Sequence, residues 1–385
     1  MRLPNVRFLI GLVTVIVVCV VAAVLWVRSA TDGTATGTAR STPDVVVTCL
    51  GGSEKSELMA DADVVRILRD RYHVEVAFQP LGSYDQVQLS ADDLRARRID
   101  CLWPSSASAQ SVFEARHAGA FPDYRAENLL QSPEVVYAGP RGTEALVRRG
   151  LVEQRDHQYH IVDMKSLLLD HVLKKRTWDG IGAADLRGPI TVASTDAAKS
   201  NSGFVLAQLQ LSIVATDDVF QSPSLAQARR ALPTVRALYD AQGLQARSSD
   251  SGFREWLTQG GEFKSPLYAG YENQLIQMVA GGGVDTASVL ANVRMLYPEP
   301  TIYSDHPLLA LTSTAGRLVE AMKDPEIQTI AWKTYGFRSA LRIGANDVAD
   351  FPDLALAAQV RTTPAPAADV TLALLGCIKD ATTCQ

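Results

Sequence analysis

Three short stretches of this 385-residue chain are rich in small hydroxyl residues, two of them with glycine and lysine as well, in a way that suits a small polar ligand. Gly51-Gly52-Ser53-Glu54-Lys55-Ser56 follows one apolar run, and Pro104-Ser105-Ser106-Ala107-Ser108 follows another. The third, Ser194-Thr195-Asp196-Ala197-Ala198-Lys199-Ser200-Asn201-Ser202-Gly203, opens a largely apolar helical stretch. Small residues let a ligand approach the backbone, and exposed amides at a helix start favour anionic oxygen by about 0.3–1 kcal/mol each. Lys55 and Lys199 add positive charge. The candidate ligand-binding residues are therefore Ser53, Lys55, Ser105, Ser106, Lys199, Ser200, Asn201 and Ser202, together with Tyr271 and Glu272. Tyr271 could stack on a ring or sugar face, whereas Trp103 beside the second loop reads first as a core residue. Ser, Asn and Gly also populate ordinary caps and turns, so any one loop has that plainer reading; three at equivalent strand ends point to a site.

Catalytic patterns are missing. Gly52 to Ser56 has a Lys-Ser pair without the glycine directly before lysine that a phosphate loop needs, and neither G-x-S-x-G nor H-E-x-x-H occurs. His157 and His160 could share a helix face but read as solvated, and Asp179, Asp185 and Asp196 are scattered. No cysteine pair has the close spacing of a zinc site. The expectation is a noncovalent binder, not an enzyme, with no cofactor and no metal.

The elements that must hold these loops alternate. Val45 to Leu50 is a continuous β-branched run, Asp63 to Tyr72 has helical spacing, His73 to Phe78 alternates, Ala91 to Arg98 is helical, and Ile99 to Trp103 is a strand. That order predicts an α/β fold with a doubly wound parallel sheet. The rhythm recurs in helix Met164 to Lys175, strand Ile190 to Ala193, helix Gly203 to Val214, helix Val235 to Gln242, strand Leu267 to Tyr271 and helix Glu272 to Ala280. Strand Leu308 to Leu311 and helices around Leu318 and Ile330 follow, while the chain from 346 onward carries little pattern.

Composition sets the class. Hydrophobic residues make up 47% and charged residues 21%, which excludes wholesale disorder. A net charge of −5, from 37 basic and 42 acidic residues, offers no nucleic-acid surface. Phe8 to Val27 is uncharged and long enough to span a bilayer, with Arg2 and Arg7 before it. It predicts a signal-anchor helix over 1–27 with the body on the extracytoplasmic side. A cleaved signal peptide is the rival reading, with the same consequence for location. Residues 28–43 read as a flexible Ser/Thr/Gly/Ala linker. In an oxidising compartment Cys49 and Cys101 pair if their strands are neighbours, or stay as buried thiols if not, and Cys377 and Cys384 could close a short loop.

Gly52-Ser53-Glu54-Lys55, Asp163-Met164-Lys165, Ser194-Thr195-Asp196 with Lys199-Ser200-Asn201-Ser202, Tyr271-Glu272-Asn273-Gln274 and Met295-Leu296-Tyr297-Pro298 resemble a bacterial extracellular solute-binding protein of the type 2 periplasmic-binding class, over roughly Val45 to Arg338. The resemblance implies two lobes joined by crossover strands: 44–138 and 305–345 in lobe I, 139–304 in lobe II, and 346–385 as a C-terminal tail. Ser53, Ser105 and Ser106 would then face Ser200, Asn201, Ser202 and Tyr271 across a cleft. The function expected is binding of a small polar solute, an oxyanion among the candidates, for presentation to an ABC-type permease. A membrane-anchored sensor or adaptor acting on another envelope protein is the alternative.

Overall fold

Strand β1 (Val45–Gly51) is the centre from which the rest is built, and its β-branched run pairs on both sides. The computed structural model describes residues 45–117, 119–216, 220–243, 245–282, 284–341 and 345–385. The expected anchor at 1–27 and linker at 28–43 lie outside these residues. Among the described residues no helix is long and apolar enough to cross a membrane.

Helix α1 (Ala62–Tyr72) begins where the Asp61 carboxylate accepts from the amides of Asp63 and Val64, and ends where His73 turns left-handed at φ 54°. Strand β2 (Val74–Pro80) then pairs parallel with β1, helix α2 (Ser83–Gln88) follows, and β3 (Cys101–Trp103) pairs parallel with the other edge of β1. Cys49 and Cys101 sit directly opposite one another in that register and form a disulfide, with Cα atoms 4.6 Å apart. Helix α3 (Ala107–His117) precedes β4 (Arg125–Ala138), a 14-residue strand that belongs to both lobes.

Lobe II takes β5 (Val152–Arg155), β6 (Gln158–Ile161), α4 (Asn201–Ala215), α5 (Leu225–Asp240), α6 (Ser249–Thr258), β7 (Leu267–Tyr271), α7 (Glu272–Ala280) and β8 (Arg294–Pro298). Strand β9 (Tyr303–Ala310) returns to lobe I, followed by α8 (Ser313–Ala321), α9 (Pro325–Lys333), β10 (Arg338–Ser339) and the C-terminal helix α10 (Ala368–Lys379). The strand order is β2-β1-β3-β9-β4-β8-β6-β5, with β7 and β10 also on β4.

The sheets are mixed, not the all-parallel ones expected. β9 runs antiparallel to β3 and β4 in lobe I, and β4 runs antiparallel to β7 and β8 in lobe II. A strand that crosses out of one lobe enters the other from the opposite direction, so each crossover is antiparallel where it arrives. The change of sheet falls between Pro133, opposite Tyr303, and Glu134, opposite Tyr271.

Three local expectations also change. Residues 152–161 form a hairpin whose turn residues Asp156 and His157 both have positive φ, so His157 and His160 do not share a helix face. Leu167–Val172 continues the Met164 helix as a wide π turn, and Ile190 to Ala193 contributes only a parallel bridge from Ala193 to Tyr268. Helix α5 begins ten residues before Val235, at Leu225, because Ser224 and Gln227 form a reciprocal cap ahead of it. Pro233 is accommodated inside it.

Helix α4 is buried almost throughout. Val205, Leu206 and Leu209 face the lobe II core, while Phe204, Ala207 and Leu211 join a second apolar cluster shared with Leu50, Leu102 and Phe113 of lobe I. The lobes therefore form one compact body.

Candidate functional site

The carboxyl ends of β1, β2 and β3 all open toward the start of α4, which is where an open α/β sheet places ligands. A pocket of about 190 Å³ lies there. Lobe I supplies Gly52, Ser53, Glu54, Gly82 and Ser83, and lobe II supplies Lys199, Ser200, Asn201, Arg247, Ser248 and Ser249. Two helices, α4 and α6, start at this pocket. Ser200 precedes α4 without a side-chain cap, while Gly203 N–H donates to Thr195 Oγ1 at 2.9 Å.

Charge at the pocket is mostly internal to the protein. Lys199 pairs with Asp196 at 3.0 Å, and that salt bridge, with hydrogen bonds from Tyr239 and the Ala198 amide, outweighs burial and lowers the Asp196 carboxyl. Arg247 is exposed and has no acidic partner among the described residues. It is the free cation at the rim.

Behind the lobe I wall lies a buried cluster that takes in two of the expected ligand residues, Lys55 and Ser105. The Lys55 ammonium donates to Glu54 Oε1 (2.6 Å), Ser105 Oγ (2.8 Å) and His306 Nδ1 (3.0 Å). All three of its protons are spent, and the side chain is fully buried. Ser105 Oγ donates in turn to Glu54 Oε1. Burial raises the Glu54 carboxyl, but the Lys55 charge and these hydrogen bonds outweigh it and bring it to about 2. Burial and then the Lys55 charge push His306 well below the ordinary histidine value, so Nδ1 accepts from Lys55 as a neutral ring. Burial lowers the Lys55 pKa while the Glu54 carboxylate pulls it back up, and the ammonium is met by three acceptors, Glu54, Ser105 and His306. Glu54 also lines the pocket, and the hydrogen bonds that its carboxylate accepts from Lys55 and Ser105 both fall on Oε1.

The remaining sequence candidates divide. Ser53, Lys199, Ser200 and Asn201 line the pocket. Ser202 is buried just inside it, in a hydroxyl cluster with Thr195 (2.7 Å), Ser249 (3.0 Å) and Ser200 (3.4 Å). Ser106 is buried and caps the Ser108 amide. Tyr271 is fully buried and its hydroxyl accepts from Asn201 Nδ2 at 2.8 Å, so no face is free to stack. Glu272 is buried in a two-pronged ion pair with Arg338, at 2.7 Å for each contact, and also accepts from Tyr297 (2.6 Å). Trp103 is a core residue whose indole donates to His306 O. A Cβ at Gly203 would strike the Thr195 carbonyl, so that glycine serves the loop itself.

Sequence reasoning missed Gly82, Ser83 and Arg247 to Ser249. Gly82-Ser83 follows β2 as Gly52-Ser53 follows β1, a signal available in the sequence. Arg247 follows no strand, and only tertiary packing brings it to the pocket. A wider groove of about 630 Å³ opens at the other end of lobe I beside His73. There Arg71 is neutralised by Asp324 and Glu326, and Arg125 by Glu320. Among the described residues no group of three or more His, Cys, Asp or Glu could hold a metal ion.

Neither a protein-family model nor a curated protein sequence matches the chain. Its fold does match solved structures. The sulfate-binding protein SubI from Mycobacterium tuberculosis aligns over 83% of this chain and 94% of its own, at 16% identity and a TM-score of 0.51. A ferric binding protein from Campylobacter jejuni covers 88% and 98% at 10% identity and TM-score 0.55. The periplasmic binding protein AfuA from Actinobacillus pleuropneumoniae, bound to fructose-6-phosphate, covers 86% and 96% at 13% identity and TM-score 0.51. The chain has the two-lobed periplasmic-binding fold.

Proposed function

We propose that this chain is an extracytoplasmic solute-binding protein that takes a small oxyanion in the pocket between its lobes and presents it to an ABC-type permease. The observation that carries the reading is the convergence of two helix starts, the free Arg247 guanidinium and small hydroxyl residues from both lobes on one cavity. At about 190 Å³ that cavity is below the roughly 300–1,000 Å³ of drug-sized sites, which favours a compact ligand. Amides at helix starts suit anionic oxygen. Glu54, kept ionised on the same wall, suits a ligand oxygen that still carries a proton.

The ligands named for the similar folds (sulfate, ferric ion, a sugar phosphate) span the class without choosing within it. The body is proposed to stand outside the cell on the segment 8–27, retained as an anchor, with 28–43 as linker. The reading is a non-catalytic one, in line with similar folds that are named as binding proteins.

The test is calorimetric titration and thermal shift of the exported body with sulfate, phosphate, molybdate, sugar phosphates and ferric citrate. Stabilisation by an oxyanion, lost in an Arg247→Ala variant, is expected. A well-folded protein that responds to none of them would overturn the reading. The second reading is a membrane-anchored sensor or adaptor in the cell envelope without a transport role. A body that binds an anion without a permease partner would point there.

A further inference from the structure

Residues 345–385 do not trail away from the lobes. Asn346 exchanges two hydrogen bonds with the backbone of Ser339 (2.7 and 3.0 Å). The carbonyls of Ala357 and Ala358 are held by Arg338, and Gln158 of lobe II donates to Leu356 O at 2.8 Å. The chain then bridges to the return crossover, where Thr301 N donates to Arg361 O and Thr363 N to Thr301 O, both at 2.8 Å. Helix α10 completes the path and lies between α3 of lobe I and α5 of lobe II, with Val370, Leu374, Leu375 and Ile378 in the apolar cluster that the lobes share.

The attachments of α10 are unequal. On lobe II, Arg236 Nη1 donates to the carbonyls of Cys377 and Ile378, each at 3.1 Å, and Cys377 Sγ approaches Leu232 O at 3.6 Å. A disulfide between Cys377 and Cys384 ties off the end. On lobe I the side-chain hydrogen bond is Ser108 Oγ to Pro366 O at 3.1 Å, and the rest of the contact is apolar. Two-lobed clamps open by hinge rotation, and here rotation must part the α4 side of the shared cluster from lobe I and also separate α10 from one of its two neighbours. The weaker polar attachment is to α3.

From this asymmetry we infer that the C-terminal segment 356–384 is a latch that holds the two lobes closed, and that release of α10 from α3 is the step that opens the interlobe pocket. The inference rests on the solute-binding reading for its purpose, but its geometry stands apart from any ligand.

The test uses the full chain with Cys19→Ser, spin-labelled at Asp92→Cys on lobe I and Asp185→Cys on lobe II, whose native side chains are 97% and 78% exposed. Ser108→Ala removes one hydrogen bond, and Leu374→Ala weakens the apolar seat. The parent should give one short interlobe distance. Each variant should add a longer population, larger in Leu374→Ala, while circular dichroism and the short population persist. An unchanged distribution in both variants would overturn the latch. So would a change confined to loss of folded signal, because α10 would then be part of the common core and not a releasable strap. Sulfate and phosphate are added in a separate arm. Variants that open but are not drawn closed by either anion would uphold the latch and count against the oxyanion reading.

Discussion

The carboxamide of Asn201, at the start of α4 in lobe II, donates to the carbonyl of Ser105 in lobe I at 2.6 Å. The same Nδ2 donates to Tyr271 Oη at 2.8 Å, so one side chain joins both walls of the pocket to the base of the crossover. Beside it Gly82 approaches the Lys199 carbonyl so closely that a Cβ would lie 2.7 Å from that oxygen. Closure is set by backbone contact between lobes as much as by any ligand.

Gly82→Ala should therefore hold the lobes apart. Gly82 lies at the pocket and outside the apolar clusters, so unfolding should shift little, while anion affinity should fall about tenfold or more, equivalent to roughly 1.4 kcal/mol. Asn201→Ala leaves the Ser105 carbonyl and Tyr271 hydroxyl without this donor and should cost about 1–3 kcal/mol in stability as well. Denaturant unfolding and calorimetric titration of both variants separate the two effects; equal affinity in Gly82→Ala would refute the role given to closure.

Arg247→Ala should weaken anion binding without destabilising the fold, because the side chain is exposed and makes no ion pair among the described residues. Arg247→Lys should recover part of the affinity, as it keeps the charge and loses the guanidinium geometry. Steeper salt dependence of binding in the parent than in Arg247→Ala would confirm that the contribution is electrostatic.

Glu272→Gln should be among the most damaging single changes. It leaves the Arg338 guanidinium buried without its counter-charge, and removal of one partner from a buried pair typically costs about 3–5 kcal/mol. Arg338 also holds the carbonyls of Ala357 and Ala358, so the loss should spread to the C-terminal segment. The check is thermal unfolding together with proteolysis of residues 345–385.

Stability should depend on pH through two buried groups of opposite sign. Glu134 sits on the crossover strand with neither carboxyl oxygen hydrogen-bonded among the described residues, and burial raises its pKa well above the ordinary carboxyl value. The folded form keeps a proton that the unfolded form releases above about pH 4.3, so this group costs up to about 1.4 kcal/mol per pH unit as pH rises. His306 is lowered, so the unfolded chain takes a proton below about pH 6.5 that the folded form refuses, and stability rises with pH up to that point. The two slopes oppose one another between pH 5 and 6.5, and Glu134 acts alone above. Glu134→Gln should therefore show the rise in stability below about pH 6.5 that the Glu134 slope offsets in the parent, and should lose the parent's fall above that pH. Glu54, lowered to about 2, adds stability that disappears only as pH falls from about 4.5 through 2.

Much of the architecture was legible locally. The β-branched run at Val45, the Asp61-capped helix and the alternation after His73 gave the right elements, because side-chain periodicity over a few residues is a property of the segment itself. The hairpin at 152–161 was not legible, since its turn depends on two non-glycine residues, Asp156 and His157, adopting positive φ. Helix α10 lay in a stretch that carried little pattern because the surface it covers is made by α3 and α5, far away in the chain.

By itself the sequence determined that hydroxyl-rich turns end several strands of an α/β body, that Ser200 and Asn201 open a buried helix, and that Cys49 and Cys101 lie in two apolar strands. Only the tertiary structure decided which of those side chains meet the pocket. Lys55 turned inward because Glu54, Ser105 and His306, 251 residues away from it, offer three acceptors in a dry site. Arg247 turned out to be the pocket's free cation because α6 starts there. The physical reason is that charge placement follows desolvation and long-range strand register, neither of which is written in any short window of residues.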